Sequence, residues 1–149
     1  MNSLRRQRGV TRIELVVVMI IIGILAAVAI SSYRAYVIRS RRSDAQDALL
    51  ALANQQENHY LQCNTFATAI GAVTSCADGK LQGTSLSRNG WYSLAISAAN
   101  ATTFTVTATA VIGADQYQDI PCRMFIVDQA GVRTAADSGG ADNTDECWR

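Results

Sequence analysis

The chain is poor in the residues that most chemistry requires. Histidine occurs once, at His59, so neither a Ser-His-Asp nor a Cys-His arrangement can be assembled, and no glycine pattern of the phosphate-loop or dinucleotide kind is present. The carboxylates are scattered and single out no catalytic pair, so the sequence reads as a non-enzyme that needs no cofactor. C-x-x-C pairs are also missing. Cys63, Cys76, Cys122 and Cys147 are separated by 13, 46 and 25 positions, and one histidine does not complete a usual zinc site, so no metal is expected. The acidic stretch from Asp137 to Glu146 lacks EF-hand spacing, and turn chemistry accounts for its composition. An excess of one charge is absent too: 13 basic residues face 12 acidic ones, for a net +1. That balance excludes both the broad basic field of a nucleic-acid binder and the acidic excess of a disordered chain. The length of 149 residues fits one modest domain with an appendage.

What is present is unevenly distributed. Arg5, Arg6 and Arg8 crowd the first nine residues, and without them 10 basic residues face 12 acidic ones. From Leu15 to Ile30, fifteen of sixteen residues are apolar. As a helix this run extends about 24 Å, slightly short of a membrane span. Reaching back to Ile13 and Val10 lengthens it but takes in Arg12 and Glu14, ionisable groups at a depth where they are costly. A secretory signal peptide ending at Ala27-Val28-Ala29 is one reading. A plain signal anchor is another, with Arg5, Arg6, Arg8 and Arg12 set against Arg34, Arg39, Arg41 and Arg42, so that charge fixes no orientation. All four cysteines follow the run, where an exported domain would oxidise them to two disulfides; three pairings are open.

A third reading rests on resemblance. The segment Arg5-Arg6-Gln7-Arg8-Gly9-Val10-Thr11-Arg12-Ile13-Glu14-Leu15, followed by VVVMIIIGILAAVAI, resembles the leader and N-terminal helix of type IV pilins and pseudopilins. The resemblance implies cleavage after Gly9 by the membrane prepilin peptidase and methylation of the new amino terminus at Val10. Glycine suits the cut because, lacking a Cβ, its backbone extends into a groove without clash. It also implies that the Glu14 carboxylate meets the Val10 ammonium of a neighbouring subunit as the helix passes from the inner membrane into a filament. The implied partners are other pilin subunits through their N-terminal helices, the peptidase, the pilus assembly platform and the inner membrane, with an extracellular pilus as the destination. Arg12 stands where members usually carry an apolar residue, and Val10 where phenylalanine is commonest. An arginine among packed helices has to snorkel or pair, which favours a subunit present in few copies: a minor pilin that primes or joins a retractable pilus for motility, adhesion or DNA uptake. A DNA-binding pilin of competence and a type II secretion pseudopilin are alternatives within the class. Outside it stands a monomeric exported binding protein. Ser31-Ser32 replaces the proline common after the apolar run, which removes the usual cause of a kink and leaves unwinding beside Gly23 open.

The expected organisation is a leader over residues 1–9, an assembly helix over 10–32, an amphipathic helix over 33–62 and a β-sheet head over 63–149. Together these make the α+β pilin fold, a long helix packed on a small antiparallel sheet. Tyr33, Tyr36, Val37, Ala45, Ala48, Leu49, Leu52 and Ala53 recur at three and four, with Arg41, Arg42, Asp47, Asn54 and Glu57 largely on other faces. No proline breaks the stretch from Leu15 to Gln62, so one helix is expected there. Arg39, Arg41 and Arg42 form a basic cluster, read first as a solvated or lipid-facing helix face and second as a DNA contact. The second reading is held back by the charge of residues 39–149, 8 basic against 11 acidic. Period two marks strands at Trp91 to Ser97 and Thr103 to Val111. Another is expected around Cys122 to Val127, then a turn at Asp128-Gln129-Ala130-Gly131 and a short return over Val132 to Ala135. Sequence neighbourhood and the pilin resemblance favour joining Cys63 to Cys76 and Cys122 to Cys147, the second bridge enclosing a C-terminal loop. Trp148 is expected to pack as a cap beside Cys147, and His59 to lie on the helix surface.

Overall fold

The computed structural model describes residues 11–149, so Gly9 and Val10, with the rest of the basic leader, lie outside the described residues. The chain divides into two compact units between Val37 and Ile38. Helix α1 runs Arg12–Ser40, passing through Gly23 and Ser31-Ser32 without interruption. Helix α2 runs Arg42–Cys63, with a single turn residue, Arg41, between the two helices. Arg41 itself keeps helical backbone angles, φ −72° and ψ −14°. Asn64, in the left-handed region at φ 53°, ends α2 with its N–H on the Tyr60 carbonyl.

In the first unit the apolar run is not buried by any of the described residues. Ile13 and the large apolar side chains from Leu15 to Ile30 are exposed, and the helix is long and apolar enough to cross a membrane.

The second unit is an α+β head. Strands β3 (Tyr92–Ala99), β4 (Phe104–Ala110), β5 (Met124–Asp128) and β6 (Arg133–Ala136) form an antiparallel meander in the order β3-β4-β5-β6. Register is fixed by period two: Val106 stands opposite Ile96 on one side and Val127 on the other, all on one side of the sheet. Ala45, Leu49 and Leu52 of α2 share a buried core with Tyr92, Leu94, Phe104, Val106, Ala108, Phe125 and Val127. Thr105, Thr107 and Thr109 lie half-buried on the other face. The β5–β6 turn is built by Asp128, whose Oδ1 accepts from the Ala130 and Val132 N–H groups, and by Gly131 at φ 75°, where a side chain would be strained. Phe66 closes the end of the core nearest the α2 C-terminus, stacked on Tyr60 and edge-on to Phe104, each at 4.8 Å between centroids.

A small parallel pair, β1 (Ala69–Gly71) with β2 (Lys80–Gln82), was not foreseen. Each strand has only three residues, too few for a period to register. It is held at the α2 terminus by the Cys63–Cys76 disulfide and by a turn in which Asp78 accepts from the Thr74 and Ser75 amides and the Thr74 hydroxyl. A last short helix, α3 (Thr144–Cys147), is tied to the segment before β5 by the Cys122–Cys147 disulfide.

Candidate functional site

Glu14 lies in the first turn of α1, the only charged residue between Arg12 and Arg34. Thr11 and Glu14 make the reciprocal contacts of a capping box. The Thr11 N–H donates to Glu14 Oε2 at 3.4 Å, and the Glu14 N–H donates to Thr11 Oγ1 at 3.3 Å. The T-x-x-E spacing carried that signal in the sequence, alongside the resemblance that drew attention to Glu14.

The three arginines of the basic cluster have three different environments. Arg42 is buried, only 8% exposed, and points into the head rather than outward as the helical spacing implied. Its Nε and Nη2 each donate at 2.8 Å to the two carboxylate oxygens of Asp119, and its Nη1 donates to the Glu146 carbonyl at 3.2 Å. Burial opposes the Arg42 charge, but the hydrogen bond and charge of Asp119 outweigh it and hold the guanidinium above its ordinary pKa. Around the pair, the Gln116 amide donates to the Tyr92 hydroxyl at 2.8 Å, to Asp119 at 3.1 Å and to the Ile38 carbonyl at 3.2 Å. Burial, then the Asp119 charge, pushes the Tyr92 phenol up from its usual value. This network explains why a charged residue occupies the core-facing side of α2, and it leaves Arg42 unavailable to an external phosphate.

Arg41 is half-committed. Its guanidinium lies 3.9 Å from the Trp91 ring centroid and 3.5 Å from Asp115. Arg39 is exposed and, among the described residues, neither Arg39 nor Arg149 is paired with a carboxylate. These two line one cavity of about 670 Å³ with Ser40, Ser43, Gln46 and Glu146. A second pairing of arginine and aromatic ring stands at the same end of the sheet, Arg123 at 3.7 Å from the Tyr117 centroid.

The disulfides differ in setting. Cys122 and Cys147 are 0% and 1% exposed, whereas Cys63 is half-buried and Cys76 exposed. Trp148 packs edge-on to Phe125 at 5.6 Å and donates its indole N–H to the Thr134 carbonyl at 2.9 Å. His59 is half-buried rather than on the surface. Its Nδ1 lies 2.8 Å from the Thr65 carbonyl and its buried Nε2 has no partner.

Among the described residues no group of three or more His, Cys, Asp or Glu side chains is arranged to hold a metal. In the acidic C-terminal stretch Asp137 accepts from the Gly139 and Ala141 amides, and Asp142 from the Thr144 hydroxyl and amide. The Thr144 hydroxyl, then its amide, lowers the Asp142 pKa; in the turn before β2 the amides of Thr74 and Ser75 do the same for Asp78. These carboxylates shape turns.

Known proteins share both parts of the chain. The family model of the prokaryotic N-terminal methylation motif matches residues 4–30, and the model described as type IV minor pilin ComP, DNA uptake sequence receptor, matches residues 31–126. The type IV major pilin protein PilA of Myxococcus xanthus is 42% identical over 69 residues, covering 44% of this chain and 31% of that protein. The fimbrial protein EcpC of Eikenella corrodens is 56% identical over 39 residues, 26% of each chain. A fimbrial protein of Pseudomonas aeruginosa is 41% identical over 59 residues, 40% of this chain and 38% of that one. The chain thus spans between 26% and 38% of the length of these relatives. A solved type IV pilin from Shewanella oneidensis aligns with a TM-score of 0.42 and 24% identity, over 64% of this chain and 89% of that one. With more than half of its length matched by the minor pilin model, and the methylation motif directly preceding that match, the chain belongs to the type IV minor pilin family.

Proposed function

We propose that this chain is trimmed after Gly9, methylated at Val10, held in the inner membrane by the apolar part of α1, and drawn from there into a type IV pilus as a subunit that primes or joins the filament. The observation that carries the reading is the exposure of every large apolar side chain from Leu15 to Ile30. Such a surface is stable only in lipid or against other apolar helices, and a pilin uses both in turn. In the filament the Glu14 carboxylate pairs with the Val10 amino group of a neighbouring subunit. Because an unpartnered charge among apolar helices is costly, that pair sets register while apolar packing supplies affinity. The assembly partners are other pilins and the assembly platform, and the function is structural.

The test is the mass and N-terminal peptide of the mature chain from the cells that make it, with sheared surface filaments analysed in parallel. A start at methylated Val10 and recovery in filaments is the expected result. A start at Ile30, after the Ala27-Val28-Ala29 site, with nothing in the filaments, reduces the chain to a small exported domain and removes the pilin reading.

The description of the matching family model as a DNA uptake sequence receptor favours a second reading, in which the head also engages DNA. Residues 39–149 carry 8 basic and 11 acidic side chains, so such binding depends on a local patch. Duplex binding that weakens steeply with salt supports this reading, and its absence at low salt removes it.

A further inference from the structure

The basic residues of the head are gathered at one end. Of the eight between positions 39 and 149, six lie where the head's chain begins. Arg39, Arg41 and Arg42 sit on the entering helix, and Arg88 is in the loop whose Ser87 and Asn89 side chains hold Asp44. Arg123 follows the segment that pairs with Arg42, and Arg149 shares a cavity with Arg39. Two of the acids at this end, Asp119 and Asp44, are buried, while Asp115, Asp145 and Glu146 are exposed. Asp119 neutralises Arg42, Asp44 is buried with Ser87 and Asn89, and Asp115 faces Arg41. Glu146 lines the cavity and takes the Asn143 amide at 3.3 Å. Arg39 and Arg149, which line an open cavity of about 670 Å³ together with the exposed Glu146, are paired with no carboxylate among the described residues. At the same end of the sheet Arg41 lies over the Trp91 ring and Arg123 over the Tyr117 ring.

We propose that this end of the head is a binding platform for anionic phospholipid headgroups, with Arg39 and Arg149 as its phosphate ligands and Trp91 and Tyr117 as its interfacial aromatics. The proposal rests on the membrane-anchored reading above. Arg39 follows Ile30, the last residue of the apolar run, by only nine positions in the chain. In the membrane-held state the nearest abundant phosphates to Arg39 are therefore headgroups, not a ligand brought from outside. Arginines next to an anionic surface attract it, and tryptophan and tyrosine favour the water–lipid interface. The platform docks the head against the inner membrane before assembly and is released on entry into the filament.

The experiment reconstitutes the full chain into nanodiscs of phosphatidylcholine alone or mixed with phosphatidylglycerol, and follows hydrogen–deuterium exchange over residues 39–46 and 144–149. Slower exchange at both segments in the phosphatidylglycerol discs only is the expected result, with the difference fading at high salt. In Arg39→Gln/Arg149→Gln the phosphatidylglycerol preference falls roughly 25-fold, about fivefold per arginine. Lys80→Gln, in β2 at the far end of α2, leaves it unchanged. Both altered residues are exposed and unpaired with any carboxylate among the described residues, and unchanged exchange in the β-sheet verifies that the variant is folded. Equal exchange in the two discs, or a double variant with undiminished preference, overturns the platform while leaving the anchor reading intact. So does protection that appears in phosphatidylcholine discs on adding a DNA duplex and not with phosphatidylglycerol, which assigns the arginines to nucleic acid. A chain that enters neither disc overturns the anchor reading and the platform with it.

Discussion

Arg42 and Asp119, 77 residues apart in sequence, form a two-pronged ion pair with both nitrogen–oxygen distances at 2.8 Å and both side chains buried. The pair fixes the start of α2 to the segment leading into the Cys122–Cys147 disulfide, and its planar fork is a geometry that lysine cannot reproduce.

Breaking one side of this pair should cost more than removing both. Arg42→Ala leaves the Asp119 carboxylate buried without a counter-charge, a loss of about 3–5 kcal/mol. Arg42→Met combined with Asp119→Leu removes both charges and should recover most of that loss. Urea unfolding of the two variants against the parent checks this. A single variant as stable as the parent would show that water already reaches the pair.

The two disulfides should respond to reductant in order. Cys76 is exposed and Cys122 and Cys147 are not, so a graded thiol titration opens Cys63–Cys76 first. Alkylation followed by peptide mass reads the order directly. Chain entropy gives the two loops similar value, about 3 kcal/mol each, but loss of the buried bridge also leaves a void in the core. Cys122→Ala/Cys147→Ala is therefore expected to lower stability more than Cys63→Ala/Cys76→Ala, and the reverse ranking would refute the argument.

Acid and alkali should destabilise the head through different groups. Asp78 and Asp142 have pKa values lowered by donors in their own turns, so the unfolded chain binds more protons in the acid window. Their contribution is present above the ordinary carboxylate pKa of about 3.9 and is lost as pH falls through the lowered folded values. Tyr92 is shifted the other way. Its contribution is present below the usual phenol value of about 10 and is lost as pH rises beyond it. Melting temperature against pH should show a shallower acid limb in Asp78→Asn and a shallower alkaline limb in Tyr92→Phe. An Asp78→Asn acid limb that overlays the parent's would assign acid lability elsewhere.

The parts of the fold visible in the sequence are those whose pattern is local. Tyr92, Leu94 and Ile96, and Phe104, Val106, Ala108 and Ala110, alternate as half-buried strands must, and they form β3 and β4. Asp128 and Gly131 announced the turn between β5 and β6 through turn chemistry alone. Arg42 was misplaced for the opposite reason. Its burial depends on a carboxylate 77 residues away, and nothing within one helical turn signals that partner. Gln56 and Gln116 share this character. Gln56 is fully buried because it exchanges two hydrogen bonds at 2.8 Å with the Ala67 backbone, and Gln116 because it bridges Ile38, Tyr92 and Asp119. Polar residues whose partners are distant read as surface until the fold supplies the partner. The phosphate platform is hidden for the same reason, since Arg39 and Arg149 stand 110 positions apart in sequence and share one cavity only after folding.

The contact Glu14 makes in its own chain and the one proposed between chains can be separated by a single substitution. Within its own chain Glu14 closes a capping box with Thr11, a contact that glutamine at the same position also makes. Between chains, the proposed contact with the Val10 amino group of a neighbour needs the negative charge, which glutamine lacks. If capping is the whole function, Glu14→Gln should assemble normally, because the amide oxygen still accepts the Thr11 N–H. If the charge holds the neighbouring subunit, the Glu14→Gln chain should be trimmed after Gly9, reside in the inner membrane at parent levels, and be missing from sheared filaments. Quantitative mass spectrometry of the membrane and filament fractions distinguishes the two. The expected outcome is loss from the filament fraction alone, because the cap within the chain survives the substitution and the proposed pair between chains does not.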